Sequence, residues 1–515
     1  MPAMPDSSAG KRVDVVVIGG GTAGLTAGVT LKTKLQFNNF TIFEQSGDIG
    51  GTWNDNTYPG AACDSEVHWY SLSSDLNPSW TQSHAAQPEI KAYWKQIAAK
   101  YSLYDNLVLN TRVVSVDWND IRQVYRVATQ DTRTKEINYQ EANIVISAVG
   151  IISIPYYPPD LRGIEIFKGP HFHSARWDNS LDLRNKRIAV FGNGCSGSQL
   201  IPVITLDPSV QVINFCKTPP WCFPLQQKGK QVFSERWKWF LGHVPFAARL
   251  YRYWIMARQE KFYLMILAEH AAKFGIDTRK MLEDFMRAEA PSEYHDRVIP
   301  TTPVGCKRIV LDSGYLAALH RPNFDINYDG VARFTETGLI TNKGEEFTFD
   351  VMVLATGFIM DEAPVNVRGA NGITIEEYYG MKGGPEAYLG VTLPGFPNFF
   401  MIAGTIRVSL LLFGYFLKRT TLLSSSDQSS KASSPPSMSN PRRTISTTPN
   451  FRRSCQQPFG TELARRGIAL EVLVLGKSSA HGLGLSHNIG GSQEAPFGVI
   501  IESAVAKSGS DDGSF

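Results

Sequence analysis

The stretch VDVVVIGGGTAGLTAGVTLKTKL, from Val13 to Leu35, decides the fold of this chain. Its opening run, Val13 to Ile18, is rich in β-branched residues, which is typical of a parallel strand buried on both faces. Glycines follow, and the residues through Leu35 have the composition of a helix. A second strand predicted at Phe40 to Glu44 completes a βαβ unit. We therefore predict an α/β fold built on parallel sheets.

The glycines of this stretch have the spacing of a dinucleotide-binding turn. Gly19, Gly21 and Gly24 follow a strand and open a helix, a context that allows a tight turn and a close approach of the backbone to a pyrophosphate. The helix N-terminus adds N–H donors. Glu44 follows Gly24 by twenty residues and is placed to bind a ribose hydroxyl. The alternative is a plain glycine-rich turn with a surface glutamate.

A second turn of the same kind begins at Gly192. The strand predicted at Arg187 to Phe191 precedes Gly192, Gly194 and Gly197, and another strand is predicted at Asn143 to Gly150. The strand after the second turn leads into Lys217 and Thr218 rather than an acid, and a cation there favours the 2′-phosphate of NADPH over NADH. The alternative for Lys217 is a solvated surface lysine. Two dinucleotide sites together indicate a flavin reduced by a nicotinamide coenzyme.

Bulk properties narrow the class of protein further. A chain of 515 residues is too long for one core, and its net charge of +3 implies no nucleic-acid partner. Its six cysteines lack paired C-x-x-C spacing, so we predict no zinc or other metal site and a reducing compartment. The first apolar run leads directly into a glycine turn, and the run from Val408 to Leu417 is too short to span a bilayer. These observations predict a cytoplasmic protein without a transmembrane segment.

Two longer patterns are more specific than the glycine turns. Residues 50–64, GGTWNDNTYPGAACD, match G-G-x-W-x(4)-[FY]-P-G-x(3)-D, and residues 167–178, FKGPHFHSARWD, match F-x-G-x(3)-H-x(3)-W-[PD]. Both are signatures of the type I Baeyer–Villiger monooxygenases, and the chain resembles that family. The segments SAVG, KTPPW, GCKR, ATGF and YLGVTLPGFPNFF are similar to it too. The resemblance extends from about Val13 to Gly404, in the style of fungal natural-product members that act on bulky ketones. We call the two patterns the first and second fingerprints.

The resemblance implies roles for individual residues. Arg308 is expected to face the flavin and to stabilise negative charge that develops during the reaction, while Asp64 orients Arg308. Lys217 and Lys307 are expected to contact the 2′-phosphate of NADPH. The predicted contacts with FAD and NADPH are Gly19, Gly21, Thr22, Ala23, Gly24, Glu44, Gly51, Thr52, Trp53, Tyr58, Asp64, Gly192, Gly194, Cys195, Ser196, Gly197, Gln199, Lys217, Thr218 and Lys307.

Two residues of the second fingerprint have supporting roles. His173 is a catalytic type of side chain, but the resemblance assigns it a structural role in coupling the domain linker to cofactor movement, with acid–base chemistry as the alternative. Trp177 is interpreted as a core aromatic. Asp350, near ATGF, is predicted to be a hydrogen-bonding structural acid.

The resemblance also divides the chain into domains. Residues 11–150 and 361–404 are predicted to form an FAD-binding domain, and residues 151–360 an NADP-binding domain with a helical insert at about 230–292. The Trp and Phe side chains of the insert are interpreted as helix packing, with a substrate wall as the alternative. After Gly404 the family continues with a turn and helix that this sequence lacks. Residues 405–515 therefore form an atypical tail, predicted to be disordered or aberrant, with low complexity over 424–458. A misassembled gene sequence is the simplest explanation.

The function implied by the resemblance is Baeyer–Villiger oxidation. Using FAD, NADPH and O₂, the enzyme would insert oxygen next to a ketone carbonyl and form an ester or lactone, in secondary metabolism. An N- or S-oxidising flavin monooxygenase is one alternative, although such relatives lack the first fingerprint. A flavoprotein impaired by its tail is the other. The sequence leaves the ketone and the oligomeric state open.

Overall fold

The computed structural model of this chain describes residues 13–224, 231–266, 277–305, 307–359, 364–388, 390–402 and 445–446. The βαβ unit predicted at its start is present as strand Val15–Ile18, helix Thr22–Thr33 and strand Phe40–Phe43. The two strands are parallel and in contact, with Val15 opposite Phe40. The predicted α/β class is confirmed.

The first sheet has five parallel strands. In order across the sheet they are Phe399–Met401, Ile144–Ser147, Val15–Ile18, Phe40–Phe43 and Leu107–Val108. Both faces are covered, because Val15 and Val17 pack with the helices Thr22–Thr33 and Gln87–Lys100, while Val16 and Ile18 pack with an antiparallel meander. This double burial explains why the strand is apolar at nearly every position.

The second sheet repeats this plan. Its parallel strands, in order, are Phe324–Asn327, Gln211–Phe215, Arg187–Phe191, Val351–Leu354 and His171–His173. Ile188 and Val190 pack on one face with helix Cys195–Ile204, and Ala189 and Phe191 pack on the other face with a three-stranded layer. The carboxyl ends of the central strands carry the two glycine turns, which is where open α/β sheets bind ligands.

Smaller sheets cover and join the two main ones. The meander contains Thr111–Asn119, Val124–Asp131 and Ile137–Ala142, and Asn366–Arg368 pairs parallel with its first strand. The three-stranded layer contains Val331–Thr335, Gly338–Thr341 and Glu346–Thr348. Paired short strands are Cys222–Pro224 with Val310–Asp312, Ile154–Pro155 with Phe358–Ile359, and Glu386–Ala387 with Ile445–Ser446. Further short helices are Thr52–Asp55, Val67–Tyr70, Tyr315–Ala318 and Ile375–Lys382. Single 3₁₀ turns lie at Leu103–Asn106, Pro159–Leu161, Ile164–Ile166, Ser174–Arg176, Ser292–Tyr294 and Ala370–Gly372.

The predicted insert is helical where the structure describes it. Its helices are Glu235–His243, Ala247–Ile266, Thr278–Glu289 and His295–Val298. The Ser234 side chain accepts a hydrogen bond from the Trp237 N–H at 3.2 Å and so caps the first helix. Pro245 lies in the break before the second helix, since proline lacks the N–H that a helix interior needs.

The aromatic side chains of the insert divide into two groups. Phe233 is buried in the core beside the first sheet, and Trp237 packs against the same core. Trp239, Phe246 and Trp254 are exposed, with fractions of 60%, 71% and 53%, and Trp239 and Trp254 stack on His243 and Tyr251 of their own helices. The beginning of the insert therefore packs against the core that covers the first sheet, and part of its aromatic surface is exposed.

The predicted tail lies outside the described residues, apart from Ile445–Ser446. None of the helices that the structure describes combines the length and apolar character needed to cross a membrane. The domain boundaries given above stay predictions.

Candidate dinucleotide sites and the residues between them

The first glycine turn, Gly19 to Gly24, depends on backbone contacts that a side chain would block. Gly19 has φ of +103°, and a Cβ placed on it would lie 2.7 Å from the Ala148 carbonyl oxygen. A Cβ on Gly24 would lie 1.9 Å from the Gly19 carbonyl oxygen. The helix can therefore start only with glycine at these positions, and its first N–H groups are left for an external acceptor. Thr22 and Ala23 supply N–H groups of this first helical turn.

The first fingerprint covers this turn. The Gly50 N–H donates to the Gly20 carbonyl at 3.0 Å, and a Cβ on Gly51 would lie 2.9 Å from the Gly21 Cα. Thr52 and Trp53 begin the short helix that follows. The pairing of two glycine backbones lets the fingerprint pass close to the first turn without side chains filling the space.

Glu44 is the buried acid of the first turn, with 5% of its surface exposed. Its carboxylate accepts hydrogen bonds from the N–H of Gly20 at 2.7 Å and of Ser46 at 2.8 Å. Burial raises the pKa of Glu44, and the two N–H donors oppose that rise. Glu44 therefore lies beside the first turn, and its contact with a ribose hydroxyl stays a prediction.

A polar cavity of about 410 Å³ opens beside Glu44. Gln45 and Ser46, which directly follow Glu44, contribute to its wall. Its other lining residues are Asp55, Arg112, Gln130, Thr132, Lys135, Ala175, Arg176 and Trp177. The cavity therefore combines three cationic side chains with one carboxylate.

The second glycine turn, Gly192 to Gly197, has the same backbone geometry. Gly192 has φ of +105°, and a Cβ on it would lie 2.5 Å from the Ala355 carbonyl oxygen. A Cβ on Gly197 would lie 2.3 Å from the Gly192 carbonyl oxygen. A Cβ on Gly194, in contrast, would have no described atom within 4 Å. Cys195 and Ser196 begin the helix here, and burial raises the pKa of the Cys195 thiol, so it remains neutral.

The predicted phosphate-binding residues lie together beyond the second turn. The Lys307 ammonium donates to the Thr218 hydroxyl, and the Asn193 side chain donates to the Thr218 carbonyl at 3.1 Å. Lys217 Nζ lies 2.9 Å from Asp160 Oδ1. The structure thus unites Lys217, Thr218 and Lys307 and adds an acid, Asp160, that sequence reasoning missed. Asp160 and Lys217 are 57 positions apart in the sequence, which explains why no local pattern revealed the acid.

The first fingerprint also contacts the helix of the second turn. The Tyr58 hydroxyl donates to Gln199 Oε1 at 2.8 Å, and Gln199 Nε2 donates to the Ala62 carbonyl at 3.1 Å. A Cβ on Gly60 would lie 2.3 Å from the Gln199 carbonyl oxygen. Burial raises the pKa of Tyr58 to about 12, so its hydroxyl stays a neutral donor. Residues predicted to bind a cofactor in the first fingerprint and in the helix of the second turn are therefore in direct contact.

Arg308 and Asp64 meet at this junction. Arg308 Nη2 donates to Asp64 Oδ2, and the two side chains are 63% and 26% exposed. Asp64 ends the first fingerprint, and Arg308 lies in the loop after Gly305. The pair therefore joins two segments that are 244 positions apart in the sequence. A charged pair this open to solvent can bind a ligand on its free face.

His173 uses both ring nitrogens inside the protein. Its Nε2 donates to the Gly357 carbonyl at 3.0 Å, and its Nδ1 accepts from the Ala175 N–H at 3.1 Å. Burial lowers its pKa to about 4. The ring is therefore neutral, with no nitrogen free for a substrate, which fits the structural role and disfavours the acid–base alternative.

Other aromatic and acidic residues lie in supporting positions. Trp177 packs edge-on against Phe172, with ring centroids 5.2 Å apart, as its core interpretation predicts. The Asp350 carboxylate accepts from the Arg187 N–H at 2.7 Å, and its structural role is confirmed. Trp53 Nε1 donates to the Tyr70 hydroxyl at 3.1 Å, and Tyr70 is a second residue that sequence reasoning missed. Within the described ranges, His, Cys, Asp and Glu side chains form no group that could hold a metal ion.

Comparison with known proteins gives the same picture. The flavin-binding monooxygenase-like family profile matches residues 10–259. A Baeyer-Villiger monooxygenase from Pseudomonas aeruginosa is 33% identical over 409 residues, which are 78% of this chain and 74% of the relative. FAD-binding monooxygenase ktnD from Aspergillus niger is 31% identical over 402 residues, which are 76% of this chain and 65% of the relative.

Solved structures agree in fold. The closed crystal structure of cyclohexanone monooxygenase superposes with a TM-score of 0.66 and 25% identity, covering 76% of this chain and 79% of that one. A Rhodococcus cyclohexanone monooxygenase bound to NADP⁺ gives a TM-score of 0.66 and 26% identity, over 76% and 79% of the two chains.

The chain belongs to the flavin-binding monooxygenases and, among them, to the Baeyer–Villiger monooxygenase family. It is an oxidoreductase of the FAD- and NADPH-dependent class. The resemblance noted from the two fingerprints is confirmed.

Proposed function

We propose that this enzyme converts a ketone into an ester or lactone. The net reaction consumes the ketone, O₂, NADPH and a proton, and it yields the ester, water and NADP⁺. The observation that supports this most strongly is the Arg308–Asp64 pair, which lies where the first fingerprint meets the helix of the second glycine turn. A bulky ketone of secondary metabolism is the substrate class that the fungal resemblance suggests.

The first glycine turn fits an FAD. Gly19, Gly21 and Gly24 keep side chains away from the helix N-terminus, so its N–H groups can bind a pyrophosphate. Glu44 lies beside that turn, where the acid of a dinucleotide-binding sheet accepts a ribose hydroxyl. Bound FAD supplies the redox and oxygen chemistry, and NADPH supplies the hydride.

The second glycine turn fits an NADPH. Gly192, Gly194 and Gly197 form the corresponding turn, and Gly194 is open. Lys217 and Lys307 place two cations near the end of strand Gln211–Phe215, where dinucleotide-binding sheets bind the 2′-phosphate of the coenzyme.

Arg308 is proposed as the residue that faces the reacting atoms. A guanidinium fixed by Asp64 can stabilise an oxyanion as it develops, without reorganising during the reaction. Asp64 leaves the remaining N–H groups of Arg308 available to a ligand, since the guanidinium carries five donors. His173 donates to the Gly357 carbonyl and moves no proton in this scheme.

The cellular location and the partners of the enzyme are part of the same proposal. We propose a cytoplasmic enzyme whose partners are a small ketone and O₂. Its reducing surroundings would keep Cys63, Cys195, Cys216 and Cys222 in the free form that the structure describes.

Product analysis tests the reaction. The FAD-loaded full chain is incubated with NADPH, O₂ and either a cyclic ketone or an aryl thioether, and the products are identified by mass spectrometry. A lactone supports the proposal, whereas a sulfoxide formed with no lactone supports the S-oxidising alternative. Arg308→Ala is expected to lower lactone formation by about 100-fold or more, because it removes a transition-state donor. Arg184→Ala, which removes an exposed arginine paired with Asp182, is the control.

A further inference from the structure

The acid that is absent after the second glycine turn in the sequence is supplied by a distant segment. Asp160 lies in the 3₁₀ turn Pro159–Leu161, and its carboxylate is 2.9 Å from Lys217 Nζ. Lys217 follows strand Gln211–Phe215, at the position where dinucleotide-binding sheets distinguish a 2′-hydroxyl from a 2′-phosphate. An acid at that position accepts from the hydroxyl of NADH, and a cation binds the phosphate of NADPH. This protein has both side by side.

The backbones of both residues are held in place. Leu161 and Phe215 are buried in the same hydrophobic core on one face of the second sheet. Pro158 and Pro159 restrict the chain before Asp160, and the Leu161 N–H donates to the Pro158 carbonyl at 3.0 Å. The side chains of Lys217 and Asp160 are 72% and 51% exposed. Their backbones are therefore held near the expected coenzyme position, and their charged ends are accessible to a coenzyme.

The two cations of this cluster differ in their partners. Lys217 faces a carboxylate, whereas Lys307 donates to the neutral hydroxyl of Thr218. A 2′-phosphate entering the cluster would be attracted by both ammonium groups and repelled by Asp160, because like charges at short range oppose each other. A 2′-hydroxyl has no charge and can donate to the Asp160 carboxylate.

We propose that Asp160 sets the coenzyme preference of this enzyme. Asp160 weakens NADPH binding and supports NADH binding. The ratio of the affinities for NADPH and NADH is therefore smaller than Lys217 and Lys307 alone would produce. This inference rests on the proposed role of Lys217 as a 2′-phosphate ligand. Asp160 is a specificity residue and touches no reacting atom.

The test compares coenzyme affinities of the FAD-loaded full chain with Asp160 and with Asp160→Asn. Dissociation constants for NADP⁺ and NAD⁺ are measured by calorimetry, and anaerobic flavin reduction by NADPH and NADH provides the kinetic counterpart. In the variant we expect NADP⁺ to bind about threefold tighter and NAD⁺ about threefold weaker, which changes the preference roughly tenfold. The affinity for NADP⁺ should also depend more steeply on salt, since the site gains positive charge.

Two further variants separate the possible outcomes. Asp182→Asn removes an exposed acid that pairs with Arg184, and it should leave both affinities unchanged. An equal change for both coenzymes in Asp160→Asn, no change, or weaker NADP⁺ binding would overturn the inference. If Lys217→Ala leaves NADP⁺ affinity intact, the proposed phosphate site itself is wrong. If Lys217→Ala weakens NADP⁺ binding but Asp160→Asn does not alter the coenzyme preference, the proposed phosphate site is supported and the proposed role of Asp160 is wrong.

Discussion

The two glycine turns share a backbone geometry but differ in what surrounds them. Gly19 and Gly192 have φ of +103° and +105°, and each lies against the carbonyl of a neighbouring strand. The first turn is covered by Gly50 and Gly51 and has a buried acid, Glu44. The second has an open position at Gly194.

This difference corresponds to two ways of using a cofactor. A covered turn with a buried, doubly hydrogen-bonded acid suits a ligand that stays bound, because the protein folds around it. An open turn with exposed charges at Lys217 and Asp160 suits a ligand that enters and leaves in each cycle. FAD retention and NADPH exchange would then follow from the surroundings of each turn rather than from the glycine motif itself.

The largest effect on cofactor binding is expected when a methyl group is added to a glycine of each turn. In Gly24→Ala the new Cβ would lie 1.9 Å from the Gly19 carbonyl oxygen, so the turn cannot form and we expect no FAD-loaded protein. In Gly194→Ala the new Cβ meets no described atom within 4 Å, and φ of −77° suits alanine. We expect this variant to fold and retain FAD, with weaker NADPH binding where the methyl group meets the coenzyme. Flavin content after gel filtration and NADP⁺ affinity are the measurements.

The opposite pattern would contradict this account of the turns. Normal flavin content in Gly24→Ala would mean that the close contact with Gly19 is not required. Gly197→Ala is the matched control for the second turn, because its Cβ would lie 2.3 Å from the Gly192 carbonyl oxygen and should disrupt that turn.

Changing the buried acid should have the next largest effect. Glu44→Gln puts an amide N–H₂ group where the carboxylate accepts from two backbone N–H groups, so at least one hydrogen bond is lost. We expect FAD affinity to fall by about tenfold or more, as for the loss of a buried charge-assisted hydrogen bond. Fluorescence of released FAD measures this, and Glu336→Gln at an exposed position is the control. A selective loss of NADPH binding, with FAD affinity unchanged, would contradict the assignment.

Acid should weaken the folded protein through two buried histidines. His68 packs against Phe233 and Tyr251 of the insert, and burial lowers its pKa to about 4, as it does for His173 in the edge strand of the second sheet. Unfolded histidine titrates near 6.5, so the unfolded chain binds more protons as the pH falls from 6.5 towards 4, and stability is lost across that window. Each histidine accounts for at most about 3 kcal/mol. Thermal unfolding midpoints at several pH values measure the effect.

A single variant measures how much of the stability lost in acid is due to His68. The His68 ring packs edge-on near Phe233 and Tyr251, at centroid distances of 5.3 and 5.0 Å, so His68→Phe retains the aromatic packing and removes the titration. We expect a smaller drop in melting temperature between pH 6.5 and 5 than in the unchanged protein. His171→Asn, at an exposed position, should leave that drop as it was. An unchanged drop in His68→Phe would exclude His68 as a source.

Local patterns predicted the turns and the strands before them because glycine spacing and strand burial are set within a few residues. The fingerprints likewise brought Tyr58, Asp64 and His173 into the site. The pairing of Asp160 with Lys217 could not be predicted, since it joins two exposed residues whose segments are brought together by the packing of Leu161 and Phe215 in one core. The outward aromatics Trp239 and Trp254 were missed for a related reason: composition predicts helix, but only tertiary packing decides which face is buried.

Anaerobic addition of NADPH to the purified, FAD-loaded full chain tests whether the two glycine turns hold cofactors that react with each other. We expect the chain to retain FAD through gel filtration, and a stoichiometric amount of NADPH to bleach the visible absorbance of the bound flavin. Retained FAD that NADPH leaves oxidised would contradict the claim that the two turns hold cofactors that react with each other.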